Sequence, residues 1–112
     1  TCALPICCVV GARVLVGVGA TVSDNSIIGM GTTLDHDARV GLHATVGAGA
    51  TLGAEAVLEE GAFVGDGVTV LAGRRIGRRA IVVSGSVVTQ DIPAGAIAAG
   101  VPAVMIRRGD GG

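Results

Sequence analysis

The chain has 112 residues, half of them hydrophobic, with 20 glycines and a single aromatic residue, Phe63. This length favours one compact domain, and this hydrophobic content excludes a chain that is disordered throughout. The net charge is only −1, so we expect no nucleic-acid partner, and no stretch free of charged residues is long enough for a membrane-spanning helix.

Three cysteines, Cys2, Cys7 and Cys8, lie near the start of the chain. An odd number of cysteines cannot pair completely within one chain, and no signal-peptide pattern precedes them. We therefore expect a reducing, cytoplasmic location. The chain starts with Thr1 rather than Met, which indicates a processed chain or a part of a longer protein.

A six-residue repeat runs along the chain from Leu4 to Val88. Every sixth residue in this stretch is Leu, Ile or Val, a period that fits neither an α-helix nor a single strand. Two positions before the aliphatic residue, from Cys8 to Ser86, the chain has Cys, Val, Ala, Ser or Thr everywhere except at Arg74. Gly often follows the aliphatic residue directly, as in Val10-Gly11 and Val64-Gly65.

Strand geometry converts this repeat into a fold. Residues two apart in a strand share a face, so each repeat predicts a short strand whose aliphatic and small residues point inward, followed by a corner. We expect Gly to relieve the backbone where the chain turns tightly. Three corners close a triangle, so 18 residues form one coil, and coils stack at the ~4.8 Å spacing of paired strands. One interior column would then hold Val10, Ile28, Val46, Val64 and Val82.

The end of the repeat carries a more specific pattern. Residues 87–93, Val-Val-Thr-Gln-Asp-Ile-Pro, and residues 100–103, Gly-Val-Pro-Ala, together with the hexads resemble the hexapeptide-repeat acyltransferases. The resemblance implies an all-β, left-handed parallel β-helix of about five 18-residue coils over residues 1–90. Residues 91–112 would be a short C-terminal extension that caps the helix or packs on it.

One outward face of the predicted helix is apolar. Because an exposed apolar column usually marks an interface, and because the resemblance implies a three-fold assembly, we expect a homotrimer. The alternative is that the tail from Asp91 to Arg108 folds back over this face. The outward residues of the face are Val9, Ile27, Thr45, Phe63 and Ile81.

The chain has two histidines, and His36 lies between two acids, Asp35 and Asp37. A lone histidine at a turn is commonly a solvated surface residue. The His-Asp pair at this point of the repeat resembles the active-site segment of sugar N- and O-acetyltransferases, of the sialic acid O-acetyltransferase and UDP-4-amino-sugar N-acetyltransferase type. That resemblance implies that His36 is a general base and that Asp37 orients it, with Asp35 as the alternative orienting acid.

The same resemblance places acetyl-CoA contacts at Thr45, Ala54, Asp66 and Ser84. Thr45 stands where these enzymes often have a second histidine. Ala54 stands where they commonly have Gly, and it keeps the backbone N–H that serves as an oxyanion donor. Asp66 and Ser84 would act mainly through their main chains, beside a groove between subunits. The alternative for these two residues is solvation at a corner.

Two further clusters remain open. Four arginines, Arg74, Arg75, Arg78 and Arg79, could bind the phosphates of CoA or lie as solvated corners, and Arg107 and Arg108 form a second pair. A zinc site needs three or more converging ligands, whereas His36 and His43 occupy different corner positions, so we expect no metal.

The sequence therefore predicts an acetyl-CoA-dependent acyltransferase. It would move an acetyl group to an amine or hydroxyl of a sugar or sugar nucleotide, with His36 and Asp37 as catalytic residues. In the sugar-nucleotide enzymes a separate N-terminal domain holds the nucleotide, and nothing in this sequence corresponds to it. The main alternative is a non-catalytic trimerising module that forms the C-terminal part of a larger enzyme, and a zinc lyase is a third reading.

Overall fold

A computed structural model describes residues 9–107. The three cysteines, Leu4 and Arg108, which entered the sequence predictions, lie outside this range. Within it the regular structure is entirely strand, and no helix has the length and hydropathy of a membrane span. The strands are β1 (Val9–Val10), β2 (Leu15–Val16), β3 (Thr21–Val22), β4 (Ile27–Ile28), β5 (Thr33–Leu34), β6 (Arg39–Val40), β7 (Thr45–Val46), β8 (Thr51–Leu52), β9 (Val57–Leu58), β10 (Phe63–Val64), β11 (Thr69–Val70), β12 (Arg75–Ile76), β13 (Ile81–Val82), β14 (Val87–Val88), β15 (Ile97–Gly100) and β16 (Ala103–Arg107).

The strands form three sheets that wind around one core. The first sheet has the order β1-β4-β7-β10-β13-β15-β16, the second β14-β11-β8-β5-β2 and the third β12-β9-β6-β3. Pairing from β1 to β14 is parallel with a register of 18 residues, as in Val10 with Ile28 and Val64 with Val82. The three-sided coil of 18 residues predicted from the repeat is thus confirmed.

The core consists of the aliphatic and small residues predicted to point inward, except in the first coil, where Val10 and Val16 are exposed. Ile28, Val46, Val64 and Val82 are buried, and so are the alanines that precede the aliphatic residues. Hydroxyl side chains at the small positions satisfy their hydrogen bonds on main-chain carbonyls: Ser26 Oγ donates to Ser23 O, and Ser86 Oγ to Val83 O at 2.6 Å. A core this narrow needs no aromatic side chain, and the one aromatic residue, Phe63, points outward.

The glycine that follows many aliphatic residues has a different cause from the one predicted. These glycines are absent from the positive-φ residues, so a tight turn does not require them. A Cβ on Gly29 would lie 2.5 Å from Ala48 N of the next coil. The expectation of turn relief was therefore wrong here, because the close approach of stacked coils excludes the side chain.

The left-handed conformation occurs two residues later in the corner. Gly31, Gly49 and Gly67 have φ near +70°, and residues with side chains at the equivalent positions, such as Asp37 and His43, have φ of 58°. Non-glycine residues in this region cost roughly 1 kcal/mol each. The corner thus has two glycine-favouring positions with separate physical reasons.

The C-terminal segment continues the solenoid. Ile92 bridges to Ile76 of the third sheet, β15 pairs parallel with β13, and β16 turns back antiparallel along β15. Up to residue 107 this segment lengthens the first sheet and leaves its outer face open. The alternative in which the tail covers that face is thus wrong for this part of the chain.

Arg74 breaks the pattern of small inward residues. Its side chain is partly exposed, at 40%, and its guanidinium reaches Asp91 Oδ1 at 3.9 Å. A partner and partial exposure together remove the cost that an unpaired buried charge would have.

Candidate active site

His36 lies at the corner between the second and third sheets, after β5 and before β6. We call this the His36 corner: residues 35–38 and their counterparts 17–20 and 53–56 in the neighbouring coils. The His36 ring Nδ1 is 3.2 Å from Asp37 Oδ2, and both side chains are more than half exposed. The imidazole is therefore open to a ligand while one of its nitrogens already faces a carboxylate.

The two acids beside His36 have different contacts. Asp35 Oδ1 accepts the backbone N–H of His36 at 2.7 Å, whereas Asp37 meets the ring. Asp35 thus shapes the main chain of the corner, and Asp37 is the acid placed to orient the imidazole. This geometry favours Asp37 over Asp35 as the orienting acid.

The pair has a definite chemical capacity. When Nδ1–H donates to the Asp37 carboxylate, the lone pair of the neutral ring is on Nε2. That nitrogen can take a proton from an amine or hydroxyl, and the carboxylate stabilises the imidazolium that results.

Ala54 occupies the same corner one coil further on, beside His36. The His36 carbonyl accepts the N–H of Glu55 at 3.0 Å, and the Ala54 carbonyl accepts the N–H of Gly73 at 2.9 Å. The Ala54 N–H has no hydrogen-bond partner within residues 9–107. It is therefore free to donate to a ligand close to His36.

Asp66 and Ser84 lie at another corner, between the first and second sheets. Asp66 Oδ1 accepts the N–H of Ala48 at 2.9 Å, and Ser84 Oγ accepts the N–H of Asp66 at 3.0 Å. These contacts link three successive coils through side chains. Because the Asp66 N–H is already bonded, the geometry does not favour the main-chain contact that we expected from Asp66.

Thr45 points outward from the first sheet, between Ile27 and Phe63 in register. The predicted residues thus fall into three places: His36, Asp37 and Ala54 at one corner, Asp66 and Ser84 at a second, and Thr45 on a face. One chain alone does not bring these three groups together.

A cavity of about 320 Å³ opens beside the His36 corner. It adjoins a second one of about 440 Å³ along the outer surface of the third sheet, which Thr21 and Ser23 help to line. Arg39 was not among the candidates predicted from the sequence, although it lies only three residues after His36. The smaller cavity is lined by Asp37, Arg39, Glu55, Val57 and Arg75.

The arginine cluster is largely occupied by carboxylates. Arg75 Nη1 lies 2.5 Å from Glu59 Oε2, and Arg78 Nη2 lies 3.3 Å from Glu60 Oε1. Arg39, in contrast, has no ion pair with any residue from 9 to 107. Of the arginines that line the cavity, Arg39 therefore has the free guanidinium.

Metal-ligating side chains do not gather in the part of the chain that the structure covers. No group of three or more His, Cys, Asp or Glu residues there is arranged to hold a metal ion. His43 follows β6, at the corner between the third and first sheets, and so does not join His36.

Comparison with known proteins gives a family match. The model of the hexapeptide repeat of succinyl-transferase matches residues 8–36 and 43–75, together more than half of the chain. No curated protein matches the sequence significantly.

Solved structures reproduce the fold. A hexapeptide-repeat acetyltransferase from Vibrio cholerae O1 biovar eltor, complexed with acetyl coenzyme A, superposes with a TM-score of 0.87 at 21% identity, over 94% of this chain and 69% of that one. The acetyltransferase domain of PglB from Neisseria gonorrhoeae, in complex with acetyl coenzyme A, gives 0.83 at 24% identity, over 91% of this chain and 54% of that one. A coil of opposite hand would not superpose in this way, so the hand is that of these proteins.

A third structure is more similar in sequence. PerB from Caulobacter crescentus, in complex with CoA and GDP-perosamine, shares 34% identity at a TM-score of 0.71, over 90% of this chain and 55% of PerB. The chain thus spans about half the length of PerB and of the PglB domain.

Proposed function

The chain belongs to the hexapeptide-repeat family, and from that premise we propose that it transfers an acetyl group from acetyl-CoA to an amine or hydroxyl of a sugar or sugar nucleotide. The observation that carries the proposal is the contact between His36 Nδ1 and Asp37 Oδ2 at an open corner. The solved structures add support, because the proteins similar to this chain were captured with acetyl coenzyme A, or with CoA and a nucleotide sugar.

The reaction follows from the groups at the corner. His36 Nε2 accepts the proton of the acceptor amine or hydroxyl as its nitrogen or oxygen attacks the thioester carbonyl. A carbon–nitrogen or carbon–oxygen bond forms, and the carbonyl oxygen becomes an oxyanion that the free N–H of Ala54 can stabilise. The intermediate then collapses with cleavage of the carbon–sulfur bond, and the proton on His36 passes to the leaving thiolate. The products are the acetylated acceptor and free CoA.

The cavity beside Asp37 suits a polar acceptor. Hydroxyls from Thr21 and Ser23 and the unpaired guanidinium of Arg39 border the two adjoining cavities. Hydroxyl groups and a guanidinium are the partners that a sugar and its phosphate use in hydrogen bonding. We therefore place the acceptor along the outer surface of the third sheet.

A homotrimer is part of the proposal. In a cyclic trimer the contact joins two different surfaces, so the first sheet of one chain can pack near the His36 corner of the next. Such packing would bring Thr45 and the Asp66 and Ser84 corner of one chain to the His36 and Ala54 of its neighbour. The separation of these residues within one chain supports a groove built between chains.

The test is direct. The protein is incubated with acetyl-CoA and a panel of amino sugars and sugar nucleotides, free thiol is measured, and the product mass is checked for one added acetyl group. We expect acceptor-dependent thiol release. Thiol release that does not depend on any acceptor of the panel would contradict the assignment of sugars as acceptors.

The second candidate is a non-catalytic trimerising module, which the coverage of only about half of PerB favours. Titration calorimetry with acetyl-CoA separates the two candidates. An enzyme binds acetyl-CoA stoichiometrically, whereas a scaffold gives no heat of binding.

A cytoplasmic location remains part of our proposal, because three cysteines cannot all pair within one chain.

A further inference from the structure

The carboxylate of Asp37 is exposed, yet it points at the imidazole of His36. An exposed carboxylate normally samples several rotamers. The rotamer that reaches His36 therefore requires neighbouring residues that leave room for it. The previous coil supplies the adjacent surface, since the Asp37 N–H donates to Val18 O at 3.0 Å. The residue after Val18 is Gly19, which lies directly beneath Asp37 in the stack.

Because Gly19 has no side chain, the carboxylate of Asp37 can occupy the space where a Cβ would lie. A Cβ built on Gly19 would overlap Asp37 Oδ1 and lie only 3.2 Å from Asp37 Cγ. The other oxygen of the same carboxylate, Oδ2, is the one that faces His36 Nδ1. The rotamer that orients the imidazole therefore needs a residue without a Cβ one coil below.

A Cβ on Gly47 would likewise meet a carboxylate, Asp66 Oδ1, but among the positive-φ glycines this relation to a carboxylate belongs to Gly19 and does not follow from the backbone conformation. Gly49, Gly67 and Gly73 share its positive φ, and a Cβ on any of them would meet nothing within 4 Å. A Cβ on Gly31 would meet only main-chain atoms at 3.9 Å. Left-handed backbone explains a glycine at all five positions, but only at Gly19 does a functional carboxylate fill the missing side chain's space.

Gly17 also lies in the coil directly below the His36 corner. A Cβ there would lie 2.7 Å from His36 N, so this glycine lets the main chain of residues 35–36 approach. The Gly-Val-Gly segment from 17 to 19 thus accommodates both the backbone of the His36 corner and the carboxylate that orients the ring.

We infer that Gly19 is a positioning residue: it lets Asp37 adopt the rotamer that orients the His36 imidazole, because it leaves free the volume that Asp37 Oδ1 occupies while Oδ2 faces Nδ1. The inference rests on the proposed function in that it treats His36 as the base. It also predicts which tautomer the His36 ring adopts, and this tautomer can be measured whether or not the protein transfers acetyl groups.

The experiment is nitrogen-15 NMR of the two imidazole rings at alkaline pH in the 112-residue chain. In the wild-type protein His36 is expected mainly as the Nδ1–H tautomer. In Gly19→Ala its ring nitrogens shift towards the tautomer mixture of a free histidine. His43, the only other histidine, stays unchanged and serves as the internal reference.

Matched variants separate positioning from backbone strain. Gly31→Ala introduces the same strain at another corner without a clash, so its His36 signals should equal those of the wild type. Gly19→Asn tolerates positive φ better than Ala and still adds a Cβ, which covers a failure of Gly19→Ala to fold. In an Asp37→Ala background, Gly19→Ala should produce no further shift, because the two residues act through one contact.

The outcomes are distinct. Three results would each overturn the inference. They are unchanged His36 signals in both Gly19 variants, a His36 shift in Gly31→Ala as large as that in Gly19→Ala, and a further shift when Gly19→Ala is added to Asp37→Ala. If acetyl transfer is found, Gly19→Ala should lower kcat about tenfold with an unchanged KM for acetyl-CoA, the direction expected for a misoriented base. A tautomer shift without any transfer activity would leave the positioning role standing and remove the proposed function instead.

Discussion

Neighbouring acids at the His36 corner differ in what they contact. Asp35 accepts a main-chain N–H and Asp37 meets the imidazole, and only the second contact bears on the proton that His36 would carry as the proposed base. The distinction was invisible in the sequence Asp-His-Asp, since both acids flank His36 equally there. It arises because residue 37 has a left-handed backbone, φ 58°, which sets the direction in which its side chain leaves the corner.

This difference leads to a prediction for the two acids. Asp37→Asn should lower kcat about ten- to a hundredfold, because an amide neither fixes the Nδ1–H tautomer as a carboxylate does nor stabilises the imidazolium. Asp35→Asn is the matched control. Its amide oxygen can still accept the His36 N–H, so kcat should change less than about threefold. Steady-state rates of thiol release measure both, and equal losses in the two variants would refute the assignment of separate tasks.

The corner is the element that decides how the coils stack. Each corner has one position where the coils touch and another where φ is positive, as Gly29 and Gly31 show. Both positions are glycine in the sequence, so the sequence alone did not separate the two causes. The separation requires the distance between coils, which only the assembled solenoid provides.

A pair of substitutions two residues apart tests these causes. Gly31→Ala should lower the free energy of unfolding by about 1 kcal/mol, since its Cβ would come no closer than 3.9 Å to Gly49 and only the backbone is strained. Gly29→Ala should cost about 3 kcal/mol or more, because its Cβ would lie 2.5 Å from Ala48 N and the coils must separate. Urea denaturation at one fixed protein concentration measures both. A larger cost for Gly31→Ala than for Gly29→Ala would contradict this explanation.

The sequence predicted the interior of the elements better than their edges. Inward columns such as Ile28, Val46 and Val64 follow from period and alternation alone. The hydrogen bond from the Asp66 N–H to Ser84 Oγ and the cavity beside Arg39 depend on rotamers of exposed side chains against the next coil. The course of β15 and β16 also escaped prediction, because the six-residue period ends at Val88.

At the scale of the whole molecule, the first sheet presents an open apolar column. Val9, Ile27, Phe63 and Ile81 are each 40% to 60% exposed, and the C-terminal strands lengthen the sheet without covering them. Exposing such a column to water costs free energy. Contact with another subunit would bury the column and remove that cost. The predicted active-site residues lie apart within one chain, so in the proposed trimer assembly and activity are expected to depend on the same surface.

Phe63→Glu tests this dependence. The buried charge should prevent association, so the mass measured by sedimentation equilibrium should fall from that of a trimer to that of a 10.9 kDa monomer, and thiol release should be lost with it. Val57→Glu is the matched control on the third sheet, where Arg39 and Arg75 flank the new carboxylate in register. It should keep the trimer mass. A wild-type mass for Phe63→Glu would show that this face is not the contact.

The most direct measurement is the rate of acetyl transfer in His36→Ala compared with His43→Ala, both checked to have the oligomeric mass of the wild type. We predict that His36→Ala loses at least about a hundredfold in kcat, in keeping with the loss of a positioned general base. His43→Ala, at a different corner, should keep the wild-type rate. Undiminished transfer by His36→Ala would contradict the account, because the imidazole held by Asp37 would then have no part in the reaction.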